Sequence, residues 1–81
     1  MTANEILTQL ENERARQETC PCRFCSSQPE FHRSEKLIVL RCSKCSMIAR
    51  GYISIGCIKS EGQARTAARK LLSSWNERNA C

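Results

Sequence analysis

Four cysteines of this 81-residue chain form two pairs, Cys22 with Cys25 and Cys42 with Cys45. Their spacing, C-x2-C-x16-C-x2-C, lies in the range of four-cysteine zinc sites. Two thiolates separated by two residues can converge on one ion, and a hairpin of about sixteen residues returns the second pair to it. Because Zn²⁺ suits four soft thiolates in a tetrahedron, the spacing predicts one structural zinc ion with no open coordination position.

The spacing leaves alternatives to zinc open. Mononuclear iron would fit the same thiolates, and two disulfides or free thiols are a third interpretation. The chain has seven cysteines, an odd number, and it opens without a secretory signal, so we expect a reducing compartment and a metal site. Cys20 lies close enough in sequence to replace Cys22 as a ligand. We predict that Cys57 packs as a small apolar side chain and that Cys81 is a free terminal thiol.

The residues that could support catalysis form no recognisable set. The chain has no aspartate, and its single histidine, His32, falls in a predicted strand. A surface position for His32 is favoured over a role as ligand or base. A cysteine nucleophile would need a thiolate free of the metal and a base beside it, and the sequence identifies no such pair. We therefore predict that the protein is not an enzyme.

The N-terminal segment predicts a helix over residues 2–18. Thr2 and Glu5 have capping-box spacing, and Ile6, Leu7 and Leu10 recur at helical intervals. This short apolar stripe either packs on the domain's own core or forms a partner or homodimer surface. The sequence thus divides into an N-terminal helix extension, 1–19, and a four-cysteine zinc-ribbon domain with a C-terminal helix, 20–81.

The zinc-ribbon domain should position the cysteines on a small sheet. Residues 36–41 give the strongest strand signal, 31–33 could pair with them, and 48–55 alternate less cleanly. Residues 60–78 change to helical periodicity, with one apolar stripe. The stripe comprises Ala64, Ala67, Ala68, Leu71, Leu72 and Trp75. The predicted fold is α+β: a small zinc ribbon of three antiparallel strands, one C-terminal helix packed on it and an extra N-terminal helix.

Charge divides along the same boundary. Residues 1–19 carry four acids and two bases, whereas 20–81 carry eleven bases and four acids. Tyr52 and Phe31 are the available stacking residues for a single strand. Six bases could form one face that contacts phosphates or a protein partner, or could simply be solvated. They are Arg41, Lys44, Arg50, Arg65, Arg69 and Lys70.

Three ordered motifs resemble a known family. The run Pro21–Cys25 (P-C-R-F-C), the pair in Cys42–Cys45 (C-S-K-C) and the run Trp75–Arg78 (W-N-E-R) resemble the phage and prophage restriction alleviation (Lar-like) family. The resemblance spans residues 20–79. It implies a zinc ribbon with a helix packed on it and the four paired cysteines as zinc ligands. It also implies that Trp75 anchors that helix and that Asn76 and Arg78 form a polar cap at its end.

The resemblance also implies a function. It describes a phage-encoded modulator that binds a host protein, above all a type I restriction-modification enzyme, and biases it toward modification in the bacterial cytosol.

The apolar runs are far shorter than the ~20 residues of a membrane span, so no membrane partner is expected. Ser26 and Ser46 replace the glycines that usually follow each cysteine pair. The alternative function is a zinc-ribbon regulator that binds DNA or RNA.

Overall fold

The computed structural model describes residues 2–45 and 47–79, and it contains a three-stranded antiparallel sheet and two long helices. This confirms the predicted α+β class. The elements, in chain order, are α1 (Ala3–Arg16), β1 (Pro29–Arg33), β2 (Leu37–Cys42), β3 (Ile53–Ser54), a 3₁₀ turn (Ile55–Cys57) and α2 (Glu61–Arg78). The strand order in the sheet is β1-β2-β3. The sheet and the four-cysteine cluster are together consistent with a small zinc-ribbon-like fold.

The β1–β2 hairpin brings the second cysteine pair back to the first. A bond from the Ser34 amide to the Leu37 carbonyl closes its turn at 2.9 Å. The register pairs Pro29 with Cys42 at the open end of the hairpin. Alternate β2 residues are buried, as the period of two in a strand requires. Cys42, the last residue of β2, therefore lies on the face of the strand that packs on the core.

The third strand is much shorter than the strand predicted over residues 48–55. Only Ile53 and Ser54 pair with β2, and Ile48 makes an isolated bridge to Arg41. Between them, Gly51 has a φ of +91°, outside the range of an extended strand. The chain therefore turns at Gly51 and meets β2 twice instead of running along it.

Helix α1 is part of the domain's core. The predicted capping box is present: the Thr2 hydroxyl accepts from the Glu5 amide, and the Glu5 carboxylate accepts from the Thr2 amide. Ile6 and Leu10 are completely buried, and Leu7 is half-buried against the same core. The predicted partner or homodimer face at Ile6, Leu7 and Leu10 therefore does not exist as an exposed surface, because this apolar stripe packs inside the domain.

Helix α2 supplies the other half of the core. Ser60 caps it by accepting from the Gln63 amide at 3.3 Å, and the Gln63 side chain accepts from the Lys59 amide. Most of the predicted stripe is buried, and Trp75 is completely so. The helix packs against both α1 and β2, so the sheet and the N-terminal helix share one core.

Candidate metal centre

The four paired cysteines converge on one point. Their sulfurs all lie within 4.8 Å of one another, with 3.3 Å between Cys22 and Cys45 and 3.2 Å between Cys25 and Cys42. A disulfide would need about 2.05 Å, and all four are free thiols. Four thiolates at 2.3 Å from a tetrahedral ion lie about 3.8 Å apart, within the observed spread. The cluster is therefore a potential metal-binding site, compatible with one ion.

Each cysteine pair sits in a loop closed by the same backbone bond. The Cys22 amide donates to the Ser27 carbonyl at 2.9 Å, and the Cys42 amide donates to the Met47 carbonyl at 2.7 Å. Both bonds span five residues, so the two loops, called here the first and second knuckles (22–27 and 42–47), have a related design. Convergence of the knuckles, set by the hairpin register, brings their sulfurs together.

Ser26 is the residue that turns the first knuckle. Its φ is +61°, in the left-handed region that favours glycine, and its amide donates to the Cys22 carbonyl at 2.8 Å. Ser26 therefore has a left-handed conformation at the position where the family resemblance places a glycine. The corresponding Ser46 lies outside the described residues. A serine at this position costs strain that a glycine would avoid.

The cluster has a buried side and an exposed side. Cys22 and Cys42 are each 1% exposed and belong to the apolar core, whereas Cys25 and Cys45 face solvent. The Cys22 sulfur also contacts the Met47 sulfur at 3.9 Å. An ion held here would join the core to the surface tips of both knuckles. Four protein ligands would fill its tetrahedron, leaving no position for a substrate.

The pKa values of the two exposed thiols, Cys25 and Cys45, are shifted in opposite directions. The hydroxyl and amide of Ser27 lower the pKa of the Cys25 thiol to about 6, with help from the Cys42 thiol. The pKa of Cys45 is raised to about 12: the Met47 amide lowers it, but the Cys22 thiol, burial and the other two thiols together outweigh that effect. Crowded sulfurs cannot all ionise without a cation, and a divalent ion would remove this conflict.

The second knuckle also directs amides at a core-side sulfur. The amides of Lys44 and Cys45 lie 3.4 and 3.5 Å from the Cys42 sulfur. Burial raises the pKa of the Cys22 thiol in the first knuckle, but the amides of Phe24 and Cys25 outweigh this and lower it overall. The amides of Phe24 and Cys25 thus favour the thiolate form of Cys22, which is the form that binds a metal.

The end of α2 holds the chain that leads into the first knuckle. The Trp75 indole donates to the Cys20 carbonyl at 2.7 Å, and the Asn76 side chain accepts from the Cys20 amide at 2.8 Å. Asn79 accepts from the Arg23 amide at 3.0 Å inside the knuckle. Trp75 is thus an anchor, as the resemblance implies. Asn76, however, binds the segment 17–21 between α1 and the first knuckle, called here the linker, and does not cap its own helix.

Asn79 is the residue that caps α2. Its side-chain amide and its backbone amide both donate to the Trp75 carbonyl at 2.9 Å, and it is 3% exposed. Asn79 thus has the capping role that the resemblance gives to Asn76 and Arg78, and the carbonyl of Arg78 accepts from the Arg23 side chain at 3.4 Å. Asn79 was not predicted from the sequence, although a helix-terminal asparagine is a recognisable capping signal.

The remaining cysteines and the histidine lie outside the cluster. Cys20 is buried and disulfide-bonded, so it does not replace Cys22 as a ligand. Cys57 is an exposed free thiol, contrary to the prediction that it packs inside, because it ends a surface 3₁₀ turn. His32 is exposed on β1, as predicted. Cys81 lies outside the described residues.

The six predicted contact bases do not share one environment. Arg69 pairs with the buried carboxylate of Glu13 at 2.7 Å and so joins α2 to α1. Arg41 is half-buried, with a buried Nε that has no hydrogen-bond partner among the described residues. Arg50 and Lys70 line one groove, described below. Lys44 lies at the tip of the second knuckle, and Arg65 lies on α2; both are exposed.

The exposed aromatic residues differ from those expected. Phe31 is only 8% exposed, so it cannot stack on a nucleic acid base, because β1 turns it into the core. Tyr52 is 64% exposed, as a binding residue should be. Phe24 is 73% exposed at the tip of the first knuckle, with the Arg23 guanidinium 5.6 Å from its ring centre. Its place between two ligand cysteines was the signal that could have identified it.

Comparisons with known proteins identify no relatives. A scan against protein-family models found no match for this chain, and searches of curated proteins and of solved structures found none. The resemblance to the restriction alleviation family therefore depends on the three sequence motifs. In the part of the chain that the structure describes, no helix has both the length and the apolar character needed to cross a membrane.

Proposed function

We propose that the protein is a zinc-stabilised, non-enzymatic binding module. The observation that carries this proposal is the convergence of four thiols in two knuckles of related design, with spacing that suits one tetrahedral ion. Zinc would supply a redox-inert cross-link between the knuckles, held by the sulfurs of the two cysteine pairs. The residues around it fix the loop shapes and orient amides toward the sulfurs.

The metal proposal is tested by metal content and ligand spectroscopy. Purified protein should contain one zinc ion per chain, and Co²⁺ substitution should give the intense thiolate-to-cobalt absorption of a tetrahedral four-sulfur site. The Cys42→Ser variant should lose this spectrum, and Cys57→Ser should keep it, because Cys57 is a free thiol outside the cluster. Iron as the native metal, or a metal-free native protein, would refute the zinc assignment.

For the cellular role, we propose binding to a host type I restriction-modification enzyme, with a shift from cleavage toward modification. The support is the resemblance in three motifs. Two of these motifs touch in the structure, since the Arg23 side chain of the Pro21–Cys25 run donates to the Arg78 carbonyl of the Trp75–Arg78 run at 3.4 Å. Their contact gives a physical reason for finding them in one chain.

The restriction proposal is tested with the purified host enzyme. Zinc-loaded protein should bind the assembled type I enzyme and raise the ratio of DNA methylation to cleavage. The metal-deficient Cys42→Ser variant should do neither, and Cys57→Ser should behave as wild type. Zinc-loaded protein that neither binds the enzyme nor changes this ratio would refute the proposed target while leaving the zinc module intact.

A second candidate function is nucleic acid binding, favoured by the first knuckle's tip. Phe24 is exposed beside the Arg23 guanidinium, and such a pair can stack on a base and contact a phosphate. Fluorescence anisotropy with single-stranded and duplex DNA at rising salt tests it. Micromolar binding that weakens steeply with salt and is lost in Phe24→Ser would support this function.

A further inference from the structure

A groove with an apolar floor lies between the segment 50–58 and α2. Its volume is about 360 Å³, and the residues that matter to the argument are Arg50, Tyr52, Ile53, Ile58, Lys70 and Leu71. It is called here the Tyr52 groove. Neighbouring depressions share Lys70 on one side and Arg50 on the other, and the depression at Arg50 is also lined by Glu77. It lies on residues outside the metal cluster.

The Tyr52 groove combines an apolar floor with positively charged side chains. Ile53, Ile58 and Leu71 give an apolar floor, and Tyr52 stands at the edge with 64% of its surface exposed. The charged side chains that line it, Arg50 and Lys70, are both exposed cations, and no acid is among its described lining residues. An exposed tyrosine beside an apolar floor is typical of a protein-binding site.

We infer that the Tyr52 groove binds a segment of a partner protein in which an apolar side chain is flanked by carboxylates. The apolar side chain would occupy the floor, and the carboxylates would pair with Arg50 and Lys70. This inference rests on the proposed binding function and defines the chemistry of its partner. Electrostatic complementarity of this kind fixes the orientation of a bound segment and raises its association rate.

A protein segment suits the groove better than a nucleic acid. A single strand would need several cations along its backbone and more than one stacking surface. The Tyr52 groove offers two cations and one aromatic ring. Its apolar floor also provides few partners for the polar edges of bases, whereas it would desolvate a leucine or phenylalanine side chain favourably.

The experiment selects a random twelve-residue peptide display library on the zinc-loaded full chain. Selected sequences should be enriched in a large apolar residue next to aspartate or glutamate. A synthetic peptide of the consensus should bind about tenfold or more weakly to the Arg50→Glu/Lys70→Glu variant and to Tyr52→Ser. A matched charge-reversal control, Lys36→Glu/Arg65→Glu, changes exposed cations outside the groove and should alter affinity less than about twofold.

A second measurement uses a thiol already present in the groove. Cys57 lines the groove and is a free, exposed thiol, so saturating peptide should slow its alkylation by N-ethylmaleimide, located by mass spectrometry. Zinc content and circular dichroism of each variant establish that the fold is kept. No enrichment relative to selection on the Tyr52→Ser variant, enrichment of basic peptides, or equal affinity for the Arg50→Glu/Lys70→Glu variant would overturn the inference.

Failure of the inference can be told apart from failure of the proposed function. If the zinc-loaded chain binds the type I enzyme and the groove variants bind it equally well, the groove is not the partner site and the proposed function stands. Binding of an oligothymidylate that is lost in Arg50→Glu/Lys70→Glu, without any selected peptide, would assign the groove to nucleic acid and overturn the inference.

Discussion

The two ends of this small domain are held together by different means. At the knuckle end, Cys25, Cys45 and Phe24 are exposed, and only Cys22 and Cys42 of the four clustered cysteines reach the core. At the helical end, α1 and α2 bury Ile6, Leu10 and Trp75 completely. A small chain cannot supply a large core throughout, so a metal can replace apolar burial at one end. The knuckle end should therefore be sensitive to loss of its clustered cysteines, and the helical end to truncation of its buried apolar side chains.

The largest expected effect is loss of the metal. Zinc in small four-ligand sites supplies about 10–16 kcal/mol of apparent binding free energy at neutral pH, more than most domains of this size have in total. We expect Cys42→Ser, or wild type with a chelator, to lose most of its circular dichroism signal, helices included. The helices depend on the knuckle end through the bonds of Trp75 and Asn76 to the linker.

Cys57→Ser is the matched control for metal loss, because Cys57 is a free thiol outside the cluster. It should keep both zinc and the native spectrum. A metal-free protein with an undiminished helical signal would contradict the prediction. It would show that the helical end folds independently and that the two ends are not one cooperative unit.

The second effect concerns the helical end. Leu10→Ala should lower the free energy of unfolding of the zinc-loaded protein by about 2–5 kcal/mol, because Leu10 is completely buried. Leu7→Ala should cost less, since Leu7 is only half-buried. Urea unfolding measures both. If Leu10→Ala instead changed the molar mass in solution and left stability unchanged, α1 would be an oligomer surface after all.

The third effect is electrostatic and joins the two helices. The hydrogen bond from Arg69, followed by that from Gln17, lowers the pKa of Glu13 from its usual value. A carboxylate with a lowered pKa adds stability that is complete above its unfolded value and disappears as pH falls through its folded value. We therefore expect Glu13→Gln to be less stable than wild type by an amount that is constant from pH 8 to about pH 5.

Arg69→Gln should be more harmful than Glu13→Gln. It leaves a carboxylate that is 2% exposed without its cation, whereas Glu13→Gln leaves only an exposed arginine. Chemical unfolding of both variants at several pH values measures this difference. A stability deficit of Glu13→Gln that changes between pH 6 and pH 8 would show that another group carries the effect.

The knuckle end was more predictable from sequence than the surfaces around it. Ligand spacing is a local property, and Cys22 and Cys42 sit where the two pairs predict. Helix α1 was predicted closely, with its capping box, but its burial depends on α2, which is far away in sequence. Periodicity showed that Leu10 lies on an apolar face without showing what covers it.

The groove and the linker contacts were not predictable for a related reason. Tyr52 and Lys70 meet in one groove only because Gly51 turns the chain back toward α2. Asn76 binds a backbone amide 56 residues away, at Cys20. Contacts of this kind follow from tertiary packing and leave no periodic signal in the sequence.

The smallest predicted effect returns to the knuckle end and compares its two loops. Ser26 has a φ of +61°, whereas Ser43 in the second knuckle has an ordinary negative φ. A left-handed conformation costs a non-glycine residue about 1–2 kcal/mol, and glycine loses part of that gain through its greater freedom when unfolded. We expect Ser26→Gly to stabilise the zinc-loaded protein by about 0.5–1 kcal/mol.

Ser43→Gly, the control, should destabilise it, because the glycine relieves no strain there and the Ser43 hydroxyl loses its 3.3 Å bond to the Gln28 carbonyl. Urea unfolding at fixed free zinc gives both values. Destabilisation by Ser26→Gly would mean that the serine side chain supports the first knuckle by more than its backbone strain costs. The two knuckles would then differ in how they close, despite their shared backbone bond.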